Sequence, residues 1–301
     1  MSRAAIPVTV IGGYLGAGKT TLVNHLLRHS GLRLAVLVNE FGELPIDHDL
    51  IEAEGDTLIS IAGGCVCCAI GDDLGAALLR VQDMSPPPDH ILIESSGVAI
   101  PGAILAALIF AEGLRHDGIV VLADAARIRQ TAANRYLADT VERQLRDADI
   151  VVLNKVDLVD EAGLAETRRW LHERVPGARI VPATHGDAPV AALLGALPVP
   201  RRGHHRIAGH AEGLFSSCVL RPEGPVDAAD LARRLAQSEL GLVRAKGFLR
   251  DRTGGWVLIQ IVGERWSVEP VADAPHPGIV CIGLREGFDA GALTRLLGEA
   301  A

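Results

Sequence analysis

Short apolar runs alternate with amphipathic segments through the first two-thirds of the chain. The runs are unbroken and rich in Val and Ile, which is typical of strands that are covered on both faces. The segments between them repeat their apolar residues with a helical period. Strands are predicted at 8–11, 34–38, 90–93, 118–122, 150–153 and 179–181, and helices at 20–28, 72–81, 140–146 and 161–173. This alternation predicts βαβ units and a mostly parallel sheet, which together form an α/β domain.

The pattern changes near residue 198. Residues 198–206 follow neither period and are typical of a linker. Beyond them, strands are predicted at 215–220, 242–249, 256–262 and 278–284, and helices at 228–237 and 290–297, the last one opening after Asp289 as its N-cap. We therefore predict an α/β domain over residues 1–197, a linker over 198–212 and a small α+β domain over 213–301.

Composition and charge narrow the class of protein. The net charge of −8 argues against a broad nucleic-acid surface, because phosphate binding requires clustered Lys and Arg. No apolar run reaches the roughly 18 residues of a membrane span, so neither nucleic acid nor a membrane is expected as a partner. A glycine-rich motif already begins at Gly13, which leaves no room for a signal peptide. We expect a cytoplasmic protein.

Residues 13–20 (GYLGAGKT) match the pattern Gly-x-x-x-x-Gly-Lys-Thr of a phosphate-binding loop (P-loop). The motif follows a predicted strand and opens a predicted helix, which is the context that this loop requires. Lys19 is expected to offset the charge of the β- and γ-phosphates, and the Thr20 hydroxyl is expected to coordinate Mg²⁺. The predicted phosphate-binding residues are Gly13, Gly16, Ala17, Gly18, Lys19, Thr20 and Thr21.

Asn154, Lys155 and Asp157 belong to an Asn-Lys-Val-Asp string that follows the predicted strand 150–153. An Asp in this position can accept two hydrogen bonds from guanine, at N1–H and at the 2-amino group. Adenine has neither donor and would leave the carboxylate unpaired. Asn154 is expected to face the other edge of the base, and the Lys155 stem to cover the ring. The string therefore predicts GTP rather than ATP.

Two carboxylates are candidates for the chemistry at the phosphates. Glu94 follows the strand 90–93 in the segment Glu94-Ser95-Ser96-Gly97, where it is expected to hold Mg²⁺ through water while the Gly97 amide senses the γ-phosphate. Glu40 follows the strand 34–38 where a switch segment would lie. The predicted catalytic residues are Lys19, Glu94 and Glu40, although either Glu is also compatible with a solvated surface position.

Cys65, Cys67 and Cys68 place three thiols within four positions, after Gly63-Gly64. Three thiolates favour Zn²⁺ and also accept Co²⁺, Ni²⁺ or Cu(I). They leave a tetrahedral ion one ligand short, which suits an exchangeable site, and Glu40 or water is a candidate for the fourth position. A redox pair or buried structural cysteines are the alternatives. The remaining two cysteines, Cys218 and Cys281, lie in predicted strands and are expected to be core thiols.

These residues together resemble the CobW-type family of metallochaperone GTPases, which includes HypB and UreG proteins. The resemblance rests on residues 16–21, 39–42, 63–68, 94–97 and 154–157, and extends to residues 244–248 (RAKGF), which resemble that family's C-terminal signature. It implies a P-loop GTPase domain, GTP or GDP with Mg²⁺ as cofactors, and loading of zinc or cobalt into a client metalloprotein. Many relatives carry a long histidine-rich tract between domains, whereas this linker holds only scattered histidines.

Two functions from different classes are compatible with the sequence. The first is a GTPase metallochaperone in which Thr20, Glu40 and the three cysteines hold metal ions and the affinity for zinc or cobalt depends on the bound nucleotide. The second is a regulatory GTP switch in which zinc is a structural clamp. In either case a homodimer is possible.

Overall fold

The computed structural model describes residues 5–39, 58–61, 72–108, 111–195, 214–272 and 277–300. The chain separates into two compact units, Met1–Ala188 and Pro189–Ala301. No helix in the described part of the chain is both long and apolar enough to span a bilayer. The predicted linker, residues 198–212, lies outside the described residues, so the predicted domain boundaries stay a prediction.

The first unit is a parallel sheet with helices between its strands. Its strands are β1 (Ile6–Gly13), β2 (Leu34–Asn39), β3 (Leu58–Ile61), β4 (His90–Glu94), β5 (Leu114–Asp124), β6 (Ile150–Asn154) and β7 (Arg179–Pro182). Its helices are α1 (Lys19–His29), α2 (Asp72–Gln82), α3 (Pro101–Leu108), α4 (Ile128–Ala133), α5 (Ala138–Asp147) and α6 (Glu161–Arg174). The strand order is β3-β2-β4-β1-β5-β6-β7, and every pair is parallel. The predicted α/β fold is confirmed.

The sheet topology determines where a ligand can bind. The chain passes from β1 through α1 to β2, but β1 is hydrogen-bonded to β4 and β5 and not to β2. Parallel sheets of this kind bind ligands beyond the carboxyl ends of their strands, at the point where the connections diverge. Register places Ile11 opposite Glu94 and Asp124 opposite Asn154, so the strand ends bring these polar residues to one edge.

The described part of the second unit contains an antiparallel sheet and two α-helices. Its strands are β8 (Phe215–Leu220), β9 (Leu242–Arg250), β10 (Trp256–Val262), β11 (Arg265–Val271) and β12 (Gly278–Leu284), in the order β11-β10-β9-β12-β8. Helices α7 (Ala228–Ala236) and α8 (Ala290–Glu299) are N-capped by Asp227 and by the predicted Asp289. Leu231, Leu235, Leu293 and Leu297 of the helices share one core with alternate strand residues such as Ala245 and Ile259. The predicted small α+β domain is confirmed.

Residues 244–248, which resemble a family signature, form the middle of strand β9. The Arg244 side chain is fully buried, and its Nη1 donates to the carbonyl of Leu193 at 2.8 Å. Gly247 lies where β12 approaches most closely: a Cβ at this position would overlap the carbonyl oxygen of Gly278 and lie 2.6 Å from the Cα of Ile279. The glycine is therefore required by the spacing of the strands.

We expect Gly247→Ala to destabilise the second unit by about 3 kcal/mol or more, because the obstacle is backbone that cannot move without breaking the β9–β12 ladder. Gly255→Ala is the matched control, since a Cβ there meets nothing within 4 Å. Urea unfolding of both variants measures the difference. Equal midpoints for the two variants would show that the sheet accepts a methyl group at Gly247.

Candidate nucleotide-binding site

The loop between β1 and α1 is built from glycines that no other residue can replace without strain. Gly13, Gly16 and Gly18 have φ of 132°, 76° and 102°, which L side chains rarely adopt. A Cβ on Gly13 would lie 2.5 Å from the Leu122 carbonyl oxygen, and one on Gly18 would lie 2.5 Å from Asn154 Nδ2. The loop thus lies against β5 and β6 while its backbone turns in the manner of an anion cradle.

Helix α1 begins directly at Lys19. The Lys19 side chain is 9% exposed, and its Nζ donates to the carbonyl oxygen of Gly13 at 3.0 Å. Gly18 forms no side-chain cap, and the first turn of α1 holds no acidic residue. The positive end of the helix and the ammonium group therefore face the same loop, where they favour a bound phosphate.

Thr20 and Glu94 are brought together from positions 74 residues apart in the chain. Thr20 Oγ1 donates to Glu94 Oε1 at 2.9 Å, and Glu94 is 2% exposed. A hydroxyl beside a buried carboxylate forms the oxygen donor set that Mg²⁺ prefers, so these residues fit a magnesium ion. The neighbouring Ser95 Oγ is also buried and has no hydrogen-bond partner among the described residues, which leaves it available to a ligand or its water.

Gly97 is positioned by close contacts with the phosphate loop and with α5. A Cβ on Gly97 would lie 2.5 Å from Leu15 Cδ2 and 2.9 Å from the Leu15 nitrogen. The buried Gln144 donates through Nε2 to the carbonyls of Gly97 and Ala99, at 3.1 and 2.9 Å. The segment after Glu94 is thus held between the loop and α5.

Asn154 connects the predicted base-reading string to the phosphate loop. Its Nδ2 donates to the Ala17 carbonyl at 2.9 Å, and its Oδ1 accepts from Gly186 N–H at 3.0 Å. The residue is 2% exposed. Each bond uses one of the two donors or two lone pairs of the amide, so the side chain joins two loops and retains capacity for one more partner on each side.

Lys155 makes a second connection between the same segments. Its backbone is left-handed, with φ of 62°, and its Nζ donates to the Gly16 carbonyl at 2.7 Å and to Asp124 Oδ2 at 2.8 Å. Asp124 Oδ1 accepts from Ala126 N–H at 3.0 Å, which orients the carboxylate at the end of β5. The Lys155 stem therefore extends over the phosphate loop.

Asp157 lies in a short 3₁₀ turn, Val156–Leu158, that follows β6. Val156 N–H donates to the Ala183 carbonyl at 3.3 Å, which attaches the turn to the loop after β7. The Asp157 side chain is exposed. It is thus accessible to a ligand, and its predicted role at the base stays a prediction.

Asp124 and Gln144 were not among the predicted site residues. Asp124 could have been found by the reasoning applied to Glu94, because it directly follows an apolar run whose carboxyl end meets the same edge of the sheet. Gln144 offered no signal, since a Gln on an amphipathic helix is ordinarily a solvated residue.

The predicted metal ligands are not all in the described part of the chain. Glu40, Cys65, Cys67 and Cys68 lie outside the described residues. Within the described ranges, no three His, Cys, Asp or Glu side chains gather around a potential metal position. The thiol site therefore stays a prediction from the sequence.

Comparison with known proteins gives two family matches that follow one another along the chain. Residues 7–182 match the model described as CobW/HypB/UreG, nucleotide-binding domain. Residues 215–301 match the model described as cobalamin synthesis protein cobW C-terminal domain.

Three curated relatives align over most of their length. Zinc chaperone CobW from Sinorhizobium sp is 33% identical over 88% of this chain and 87% of its own. Zinc chaperone YjiA from Escherichia coli is 31% identical over 93% of this chain and 94% of its own. Zinc-regulated GTPase metalloprotein activator 1 from Schizosaccharomyces pombe is 25% identical over 92% of this chain and 82% of its own. The chain therefore belongs to the CobW/HypB/UreG family, with that family's nucleotide-binding domain followed by a CobW C-terminal domain.

Proposed function

We propose that the protein hydrolyses GTP and uses the nucleotide cycle to bind zinc and release it to a client metalloprotein. The observation that carries the proposal is the bonding of the Asn154–Asp157 string to the phosphate loop. Asn154 bonds to the carbonyl of Ala17, and Lys155 bonds to the carbonyl of Gly16. One ligand that occupies the loop and the string at once would have to be a nucleotide, with its phosphates at one end and its base at the other.

At the phosphates, Lys19 would offset the charge on the β- and γ-groups, with Gly13, Gly16, Ala17, Gly18 and Thr21 contributing to the cradle. Thr20 would ligate Mg²⁺ directly and Glu94 would hold it through water. The ion would neutralise the charge that develops on the transferring group. The Gly97 amide would report whether a γ-phosphate is present.

At the base, Asp157 would accept from the two donors of guanine, and Lys155 would cover the ring. The side chain of Asp157 is exposed and available for this contact. Because Lys155 and Asn154 also bond to the phosphate loop, recognition of the base and of the phosphates would be coupled through the same residues.

At the metal, Cys65, Cys67 and Cys68 would bind the ion as thiolates, with Glu40 or water in the fourth position. The cysteines lie in sequence between Glu40 and Glu94, two residues that would contact the nucleotide site. A segment ordered by GTP would therefore change the metal site as well. The names of the curated relatives support zinc as cargo and a protein as its recipient; cobalt is the second candidate.

We expect replacement of Cys65, Cys67 or Cys68 by Ser to weaken zinc binding by about a hundredfold, since three thiolates share a binding free energy of roughly 10 kcal/mol and Ser is a poor ligand for this ion. Each variant should keep its thermal stability and its GTP affinity. Zinc titration, a thermal melt and a nucleotide-binding assay on the three proteins provide the measurement.

The same experiment separates the chaperone from the regulatory switch with a structural zinc. Loss of a ligand from a closed structural site should unfold the domain, whereas loss from an exchangeable site should not. Cys218→Ser serves as the control for a thiol outside the cluster. Full zinc affinity in all three variants, or unfolding of all three, would count against the proposal.

We further propose the domain boundaries 1–197, 198–212 and 213–301, and a cytoplasmic location, where a reducing environment keeps the three thiols available to a metal. A homodimer is compatible with this arrangement, and analytical ultracentrifugation with GDP and with a GTP analogue tests it.

A further inference from the structure

Two cysteines of the second unit lie directly opposite each other on neighbouring strands. Cys218 belongs to β8 and Cys281 to β12, and the antiparallel register pairs them. Directly opposed residues in an antiparallel pair have Cα atoms about 4.5 or 5.5 Å apart, with side chains on the same face. Both separations fall within the range of about 4.4–6.8 Å that a disulfide spans. The register thus places the two thiols on one face of the sheet, at a Cα separation that a disulfide can span.

The two thiols differ in their access to solvent. Cys281 is 0% exposed and belongs to the core formed with α7 and α8. Cys218 packs against this core but is only partly buried, because β8 is the edge strand of the sheet. A reagent in solution can therefore reach Cys218 directly. It would react with Cys281 only after it had reacted with Cys218.

The two thiols also differ in their pKa. A hydrogen bond from the Cys281 thiol lowers the pKa of Cys218 to about 7. The same contact, together with burial, raises the pKa of Cys281 well above its ordinary value. A thiol whose pKa lies near ambient pH is the most effective attacking group in thiol–disulfide exchange. The accessible thiol, Cys218, is thus the nucleophile of the first step, and the buried thiol, Cys281, stays protonated until the second step.

We propose that Cys218 and Cys281 form a thiol–disulfide exchange site in the C-terminal domain, with Cys218 as the attacking and Cys281 as the resolving thiol, and with small-molecule disulfides of the glutathione type as the oxidant. The Cys218 thiolate attacks one sulfur of the reagent, the S–S bond of the reagent breaks, and one thiolate leaves and takes up a proton. Cys281 then loses its proton and attacks Cys218 Sγ of the mixed disulfide, the bond between Cys218 and the reagent breaks, and the second thiolate leaves and takes up the proton. Two electrons pass from the protein pair to the reagent, which is reduced to two thiols.

This site is separate from the proposed metal site, because the cysteines involved are different and belong to the other structural unit. The bond would join the edge strand β8 covalently to β12. The C-terminal domain would then respond to the oxidation state of the surrounding thiol pool.

The test uses the full-length protein, reduced and freed of metal by a chelator. The protein is incubated with glutathione disulfide, its remaining thiols are alkylated, and tryptic peptides are analysed by mass spectrometry. Cys65, Cys67 and Cys68 fall on a different tryptic peptide from either Cys218 or Cys281, so the products are assigned independently. We expect a peptide pair joined through Cys218 and Cys281 in the wild-type protein.

Single substitutions determine the order of the two steps. Cys281→Ser should stop at a glutathione adduct on Cys218, and Cys218→Ser should leave Cys281 unmodified while the protein stays folded. Cys281→Ala replaces the first variant if Ser in the core prevents folding, and circular dichroism checks each protein. A further measurement on the wild-type protein is the rate of alkylation, which should be at least about tenfold faster at Cys218 than at Cys281.

A joined peptide with the expected adduct would support the proposal. Absence of the joined peptide under conditions that oxidise the other cysteines would overturn it, as would modification of Cys281 at an undiminished rate in folded Cys218→Ser protein. None of these outcomes depends on GTP turnover or on zinc binding. The exchange site can therefore be tested independently of the proposed function.

Discussion

GTP turnover should fall by about 10³-fold or more in Lys19→Ala. Phosphoryl transfer develops charge on the γ-phosphate, and a positive side chain that stabilises this charge, such as an arginine finger, is worth about 10³–10⁵ in rate. The Lys19 ammonium is nearly buried and held by the Gly13 carbonyl at 3.0 Å, so it is positioned before the nucleotide arrives. Water cannot replace a charge in this enclosed position.

The measurement is single-turnover hydrolysis at saturating GTP, because it separates the chemical step from weaker binding. Arg28→Ala is the matched control: it removes a positive charge from the exposed face of the same helix, in its last turn. The control should keep the wild-type rate. Comparable rates for wild type and Lys19→Ala would remove the phosphate loop from the proposed chemistry.

The preference for GTP over ATP should disappear in Asp157→Ala. A site built to hydrogen-bond a substrate rejects an analogue that lacks the matching group by as much as about 10⁴–10⁵-fold. The two proposed carboxylate bonds to guanine would be lost together in this variant, so we expect GTP affinity to decline toward that of ATP. The fold should be unaffected, since the side chain is exposed and lies in a short turn.

A gain of function makes the same test stricter. Asp157→Asn presents an N–H donor and an oxygen acceptor, which match the 2-oxo group and N1–H of xanthine. Xanthosine triphosphate should therefore replace GTP as the preferred substrate of that variant. Glu161→Ala, which removes another exposed carboxylate four residues along the chain, should leave the nucleotide preference unchanged. Equal turnover of GTP and ATP by the wild-type protein would contradict the proposed recognition of guanine.

The sequence predicts the buried strands of the first unit well, and it predicts the short elements and the edge strand β11 poorly. Each of the six strands predicted in the first unit is present, usually with one or two further residues at its ends, because an unbroken apolar run identifies a strand covered on both faces. Strand β11 was not predicted: Arg265 and Trp266 are exposed, and an edge strand needs no continuous apolar face. Strand β3 and helices α3 and α4 were also not predicted, and each has eight or fewer residues.

Within the candidate site, the sequence identifies most of the residues that the structure brings together, but not the contacts between them. The ion pair between Lys155 and Asp124 depends on the pairing of β5 with β6, and the contact of Gln144 with Gly97 depends on the packing of α5. Neither is visible in a string of residues.

The few lysines of the chain occupy distinctive positions. The chain holds three lysines, and they lie in the phosphate loop, in the Asn154–Asp157 string and in strand β9, whereas nearly all its cationic positions carry Arg. Lys and Arg are not interchangeable where a compact charge is needed, so the position of a lysine in such a chain is itself informative.

The central claim is that one protein couples nucleotide state to metal affinity, and equilibrium zinc affinity in three states tests it most directly. The dissociation constant for zinc is measured with no nucleotide, with GDP and with a non-hydrolysable GTP analogue. A coupling free energy of about 1–3 kcal/mol predicts that the GDP and GTP-analogue forms differ by roughly 5- to 150-fold. By reciprocity, zinc should change the affinity for the GTP analogue relative to GDP by the same factor. Equal zinc affinity in all three states would contradict the account.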